Sequence, residues 1–319
     1  MRSAGVLLMA TALVGALAMS GQAAEPPAKA PANAPGASPA VMRDAYPGLA
    51  SGALTYARPA ELPQGVLLKA DDLSIGEKEV AEEVAKAPPD LQDQLKKNRF
   101  FVLEQMATRR LLVREAKAEA AKSGKELPST EERLIIDYHV GGVAEKVQVA
   151  DAEVAGFYAE NKDMVGDAPL DQVKGAIHRY LLQQKQQEAI TRYIETLGQR
   201  MPIEVSAAWV KEQAAAARDN PVDKARTSGR PTLVDFGAAG CRPCDMMSPI
   251  LETLRKKYEG KVNVEFVHVR EEQVLAARYG IQSIPVQVFF DRSGKEMFRH
   301  VGFFPQEEIE RKLAEMGVR

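Results

Sequence analysis

Two cysteines three positions apart, directly downstream of an apolar run, constrain this chain more than any other feature: Val234-Asp235-Phe236-Gly237-Ala238-Ala239-Gly240-Cys241-Arg242-Pro243-Cys244. The chain has no other cysteines. The run reads as a buried strand, and the residues after Cys241 follow a helical pattern. A helix start presents unpaired N–H groups and the positive end of the helix dipole, which stabilise a thiolate at Cys241 and lower its pKa below the free value of about 8.5. Cys244, one turn further on, is close enough to attack a mixed disulfide formed at Cys241. The spacing therefore predicts a dithiol redox site in which Cys241 attacks and Cys244 resolves.

Zinc is the competing use of a C-x-x-C pair. A structural zinc needs four ligands, and the four histidines, His139, His178, His268 and His300, lie far apart in helix or strand patterns. No metal is expected. The sequence holds no P-loop, dinucleotide fingerprint or internal repeat, so no cofactor is expected either. A net charge of -2 without a basic patch argues against nucleic acid as a partner.

From Leu233 onward, LVDFGAAGCRPCDMMSPILETL, VEFVHV, YGIQSIPVQVFF and GKEMFRHVGFF follow one another in an order that resembles thioredoxin. The resemblance implies a C-terminal α/β domain over about 219–319, a central mixed sheet flanked by helices. It implies that Asp235 is a buried carboxylate handling the proton of the resolving cysteine, that Pro249 lies inside the active-site helix, and that Pro285 is a cis-proline facing the dithiol. The backbone before that proline, at Ile284, would pair with a substrate strand, and Gly302 would keep the groove open. Three positions depart from the family. Gly240 stands where a tryptophan is usual, which opens the groove. Phe266 stands where a lysine is usual, so Asp235 is expected to lack a charge partner and to have its pKa raised by desolvation. Val286 replaces a threonine. Between the cysteines, Arg242 brings a positive charge that favours the thiolate, whereas Pro243 supplies neither charge nor side-chain donor.

At the other end, Arg2, the apolar run Val6 to Met19 and the small residues up to Ala24 read as a secretory signal peptide cleaved near Ala23 or Ala24. An uncleaved anchor is the alternative, against which the short run argues, since a span needs roughly 20 residues. A periplasmic or secreted location follows. Residues 25–64 read as an Ala/Pro-rich spacer; within it, 42–63 carries Leu49, Leu54 and Tyr56 as candidates to dock on the next domain and receives no function.

Residues 65–205 read as an all-α domain. A strand at Val66 to Leu68 precedes a helix capped by Ser74 and Glu77 and ending near Ala87. One helix is predicted from Asp90 to about Lys122, another behind Ser129 and Glu132, a shorter one from Asp151, and a long one over 170–198. Met201 to Val205 closes the unit as a short strand, 206–218 is a connecting helix, and 222–227 is predicted to be helical. The pattern resembles the N-terminal helical chaperone module of extracytoplasmic parvulin-type prolyl isomerases, through Val66-Leu67-Leu68, the Leu103 to Arg114 helix, Phe157-Tyr158-Ala159-Glu160-Asn161-Lys162 and the Val173 to Leu197 helix. After Lys162 the chain runs almost directly into the last helix, which leaves no room for the isomerase domain. The resemblance implies a surface for extended polypeptide or for dimerisation.

Taken together, the expected protein is an extracytoplasmic thiol-disulfide oxidoreductase acting on cysteine-containing proteins, served by a membrane or soluble redox partner. Two other readings stand beside it: a non-catalytic chaperone with a redox-responsive pair, and a dedicated reductant in cytochrome or metalloprotein maturation.

Overall fold

A computed structural model of the chain describes residues 40–160, 162 and 168–318. The expected signal peptide, its expected cleavage site and residues 25–39 of the expected spacer lie outside the described residues. Among those described, no helix is long and apolar enough to cross a membrane.

The described chain opens with α1 (Met42–Ala45) and β1 (Arg58–Ala60). Residues 42–57 belong to the stretch expected to be a spacer, yet Met42, Leu49, Ala53, Leu54 and Ala57 are buried in the main hydrophobic core. Glu104 holds them there. Its carboxylate, itself buried, accepts from the backbone N–H of Ser51, Gly52 and Leu54. Leu49 and Leu54 thus dock as the sequence suggested, whereas their partners could not be read, because scattered leucines among Gly, Ala and Pro carry no period.

Next come β2 (Val66–Ala70), β3 (Leu73–Gly76), α2 (Glu77–Lys86), α3 (Pro89–Lys97) and α4 (Arg99–Ser123). Ser74 lies inside β3, so the expected cap is displaced by two residues: Gly76 precedes the helix and its N–H donates to Glu79. The single helix expected over 90–122 is two, interrupted at Asn98 (φ −122°, ψ 41°). There the Asn98 side chain donates to the Gln94 carbonyl and accepts from Arg278, 180 residues away. The helical layer continues with α5 (Glu132–Ala144), α6 (Asp151–Glu160) and α7 (Leu170–Arg200). Ser129 does not cap α5; it accepts from the N–H of Glu131, the residue immediately before the helix. Then β4 (Ile203–Ser206) leads into α8 (Ala207–Ala217).

The expected helical region is thus present, and it carries a small sheet besides, in the order β1-β4-β2-β3. Only its two short strands at 66–68 and 201–205 announce themselves in the sequence. β1 forms because it pairs in parallel with β4, across more than 140 residues of chain. Its Arg-Pro-Ala sequence carries no strand signal of its own.

The rest of the chain builds a second layered unit: α9 (Pro221–Arg226), β5 (Thr232–Gly237), α10 (Arg242–Lys257), β6 (Asn263–His268), α11 (Gln273–Arg278), β7 (Val286–Phe290), β8 (Glu296–Val301) and α12 (Gln306–Glu315). The strand order is β6-β5-β7-β8, with β5 parallel to β6 and antiparallel to β7. β5 and β7 are buried along their whole length, which accounts for their near-continuous apolar sequences. One core, around Leu233, Met247, Leu251, Phe289 and Leu313, fills the face under α10 and α12. Another, around Val222, Val234, Phe236, Val288 and Phe290, fills the opposite face.

The two units are locked together. Arg278 on α11 donates to the carbonyls of Ala217 and Gly48 and pairs with Asp223 at 3.2 Å. Asp223 also takes Arg226, at 3.0 Å, and the Tyr279 hydroxyl, and Arg226 reaches back to the Pro47 carbonyl. Val274 of α11 belongs to the core of the helical region.

Candidate functional site

β5 delivers the chain to the site. Its last residue, Gly237, is followed by a three-residue loop, and Gly240 turns the backbone through a left-handed φ of +76° into Cys241, the residue that caps α10. A side chain at Gly240 would meet open space, so the backbone angle, not crowding, is what glycine answers here. Cys241 is half-buried and Cys244 is 3% exposed. They form a disulfide with a Cα–Cα distance of 5.2 Å. Arg242 and Pro243 occupy the first two positions of α10, with Arg242 exposed. Pro249 lies inside the same helix.

Across the groove, the Ile284–Pro285 bond is cis, and the Ile284 carbonyl oxygen lies 3.9 Å from Cys241 Sγ. Gly302 N–H donates to the Pro285 carbonyl at 2.8 Å, tying the strand β8 to this loop. Cys241 therefore lies beside the Ile284–Pro285 loop, which Gly302 ties to β8, while Gly240, Arg242 and Pro243 adjoin Cys241 along the chain.

Asp235 lies beneath. It is fully buried on β5, and burial pushes its pKa up from 3.8 to about 6, against the opposing pull of a Gln287 hydrogen bond and the Arg255 charge. Gln287 Nε2 donates to Asp235 Oδ1 at 2.7 Å; Oδ2 has no partner. The bare α-carbon of Gly237 separates that oxygen from the dithiol. A Cβ placed there would sit 3.4 Å from Asp235 Oδ2, 3.4 Å from Cys244 Cβ and 2.9 Å from the ring of Phe266. Phe266, paired in register with Asp235 on β6, brings no charge and covers this edge with its ring.

The histidines do not converge. His268 Nε2 accepts from the Ala239 N–H at 3.2 Å, which braces the loop before Gly240 and requires that nitrogen to be unprotonated. His300 stacks on Phe304 with ring centroids 4.2 Å apart. His139 lies 2.6 Å from the Tyr193 hydroxyl, inside the helical region. Among the described residues, no three His, Cys, Asp or Glu side chains are grouped to hold a metal.

Sequence reasoning missed Gln287 and the brace at His268. Gln287 had a signal: it is the one polar residue in the run Val286 to Phe290, and a lone amide in a central strand calls for a partner. His268 had none, because its contact depends on the loop geometry.

A half-buried cysteine at a helix start, disulfide-bonded to a buried cysteine one turn on, a buried carboxyl on the adjoining strand and a cis-proline loop beside them are the parts of a thiol–disulfide exchange site. The family and sequence comparisons agree. A family described as Thioredoxin-like domain matches residues 219–317. The thioredoxin of Alicyclobacillus acidocaldarius subsp. acidocaldarius is 38% identical over 87 residues, 27% of this chain and 82% of that protein. Thioredoxin 2 of Chlorobaculum tepidum is 41% identical over 88 residues, 28% of this chain and 80% of that protein. Among solved structures, a mutant thioredoxin from Halobacterium salinarum NRC-1 matches with 28% identity and a TM-score of 0.28, over 30% of this chain and 81% of that one. Through its C-terminal region, the chain belongs to the thioredoxin-like family.

Proposed function

We propose that this protein is an extracytoplasmic thiol–disulfide oxidoreductase that exchanges disulfides with protein clients, and that its helical region binds those clients or a second copy of the chain. The observation that carries the exchange reading is the position of Cys241 Sγ, half-exposed at 3.9 Å from the Ile284 carbonyl, with Cys244 buried behind it. The extracytoplasmic part rests on the Arg2 and Val6 to Met19 pattern. The client or dimer part rests on the sequence resemblance to helical chaperone modules. Prolyl isomerase activity is not part of the reading, because only residues 161–169 separate α6 from α7.

In the reducing direction, the Cys241 thiolate attacks one sulfur of a client disulfide. A mixed disulfide forms and the other client sulfur leaves as a thiolate. Cys244 then loses its proton to Asp235 and attacks Cys241 Sγ, closing the Cys241–Cys244 bond and releasing the second client thiolate. Two electrons pass to the client. In the oxidising direction the same steps run backwards and the client dithiol leaves as a disulfide. The Ile284 backbone offers an extended client segment a strand to pair with. Arg242 favours the Cys241 thiolate and so stabilises the reduced form, making the pair more oxidising.

Equilibration with glutathione buffers, read by quenched thiol labelling, tests this. A potential inside the superfamily range of roughly −270 to −120 mV is expected, above its reducing end, and Cys244→Ser is expected to trap client mixed disulfides at Cys241. Failure of the pair to cycle between dithiol and disulfide would overturn the exchange reading.

A further inference from the structure

We propose that Gln287 is a positioning residue for the proton transfer between Cys244 and Asp235: its amide holds Oδ1 of the carboxyl so that Oδ2 alone faces the resolving cysteine. This rests on the reading of Cys241 and Cys244 as an exchanging dithiol served by Asp235.

The register of the sheet sets Gln287 on β7 directly opposite Asp235 on β5. Both are fully buried. An oxygen that already accepts a short amide hydrogen bond is the poorer base, so the proton goes to the other one. That other oxygen, Oδ2, has no partner and points to the gap at Gly237, where a single position lies 3.4 Å from both it and Cys244 Cβ. The placement of Gln287 also has a cost. Its own Oε1 is buried without a partner, and its neighbours Val286, Val288, Phe289 and Phe290 are all apolar. A leucine or methionine would fill the same space without that penalty, and it would leave the carboxyl free to rotate about its terminal bond.

The charged and titratable groups acting on Asp235 are few. Arg255 comes from α10 and acts at a distance, and Cys244 is the titratable neighbour on the same helix. The β6 partner is the uncharged Phe266, and the β7 partner is Gln287 itself. The hydrogen bond to the charged carboxylate is therefore the main local force favouring ionisation, and its removal should delay ionisation on a pH scale.

The test is single-turnover resolution in the full-length reduced protein. An aromatic disulfide that releases a coloured thiol reacts with Cys241 and frees one equivalent of that thiol. Attack by Cys244 then frees the second, and its rate is followed from pH 4 to 9. The rate of the second release is expected to show a step that Asp235→Asn removes. Gln287→Leu and Gln287→Met should each move that step to higher pH by about one to two units, the shift equivalent to a hydrogen bond to a charged group. In the Asp235→Asn background they should move nothing. In the unaltered protein, the side-chain amide resonances of Gln287 should shift with the same midpoint as the Asp235 carboxyl.

A step that stays in place in both Gln287 variants, an equal effect in the Asp235→Asn background, or an amide resonance indifferent to the Asp235 titration would overturn the assignment of Gln287 while leaving the dithiol reading intact. A profile that Asp235→Asn leaves unchanged would overturn the role of Asp235 itself, and this inference with it.

Discussion

Asp235 keeps its proton to about pH 6 because nothing polar except one amide reaches it in the interior of the sheet. The unfolded chain ionises the same group near 3.8. Between those values the folded protein holds a proton that the unfolded chain has released, so stability falls as pH rises from about 4 to 6. Above that window the whole cost is present, about 3 kcal/mol. Asp235→Asn, which keeps the acceptor for Gln287 and cannot ionise, is therefore expected to be more stable than the native protein at pH 8 by up to that amount. The gain should fade below about pH 4. Urea unfolding at several pH values measures it, and equal stabilities at pH 8 would contradict the buried, uncompensated charge. The cysteines could be read from their spacing at this scale, and Asp235 from the order of motifs around it. Gln287 could be read only once the register placed it opposite.

At the scale of elements, α11 begins in an unusual way: its cap comes from another part of the chain. Gln94 on α3 accepts from the Val274 N–H at 3.1 Å and donates to the Glu271 carbonyl at 2.7 Å, serving one of the orphan donors that every helix start leaves. The Glu272 side chain at the start of α11 provides no such bond. Gln94→Ala is expected to cost about 1 kcal/mol, the usual value of a lost cap. The loss should appear as faster amide exchange at Val274, with no change at β5. Contacts of this kind explain what the sequence withheld. Helical periods gave the layers of the N-terminal region, and the alternation from strand to helix gave the C-terminal unit. The break at Asn98, the pairing of β1 and the docking of residues 42–57 all depend on partners dozens to hundreds of positions away, which no local period records.

Over the whole molecule, a buried clasp joins the two units. The Arg278 guanidinium pairs with Asp223 and satisfies the carbonyls of Gly48 and Ala217, so each unit leaves polar groups that only the other can meet. Arg278→Met keeps much of the bulk and removes all of these bonds. Removing one partner from a buried charged network costs about 3 to 5 kcal/mol. Calorimetry is expected to show one transition for the native protein and two for the variant, as the units uncouple. A variant that still melts in one step at the native temperature would mean that the remaining contacts, at Val274, Gln94 and the Pro47 carbonyl, suffice to join them.

Only residues 218–220 separate the last helix of the first unit, α8, from the first helix of the second, α9. The dithiol is therefore mounted on the helical region like a tool on a fixed arm. If the helical region grips clients as proposed, a polypeptide held along that arm would bring to Cys241 only those cysteines lying one set reach from the grip, and the selection of clients would be a matter of measured length. Lengthening the chain after Ala217 would not extend that reach. It would unseat the tool.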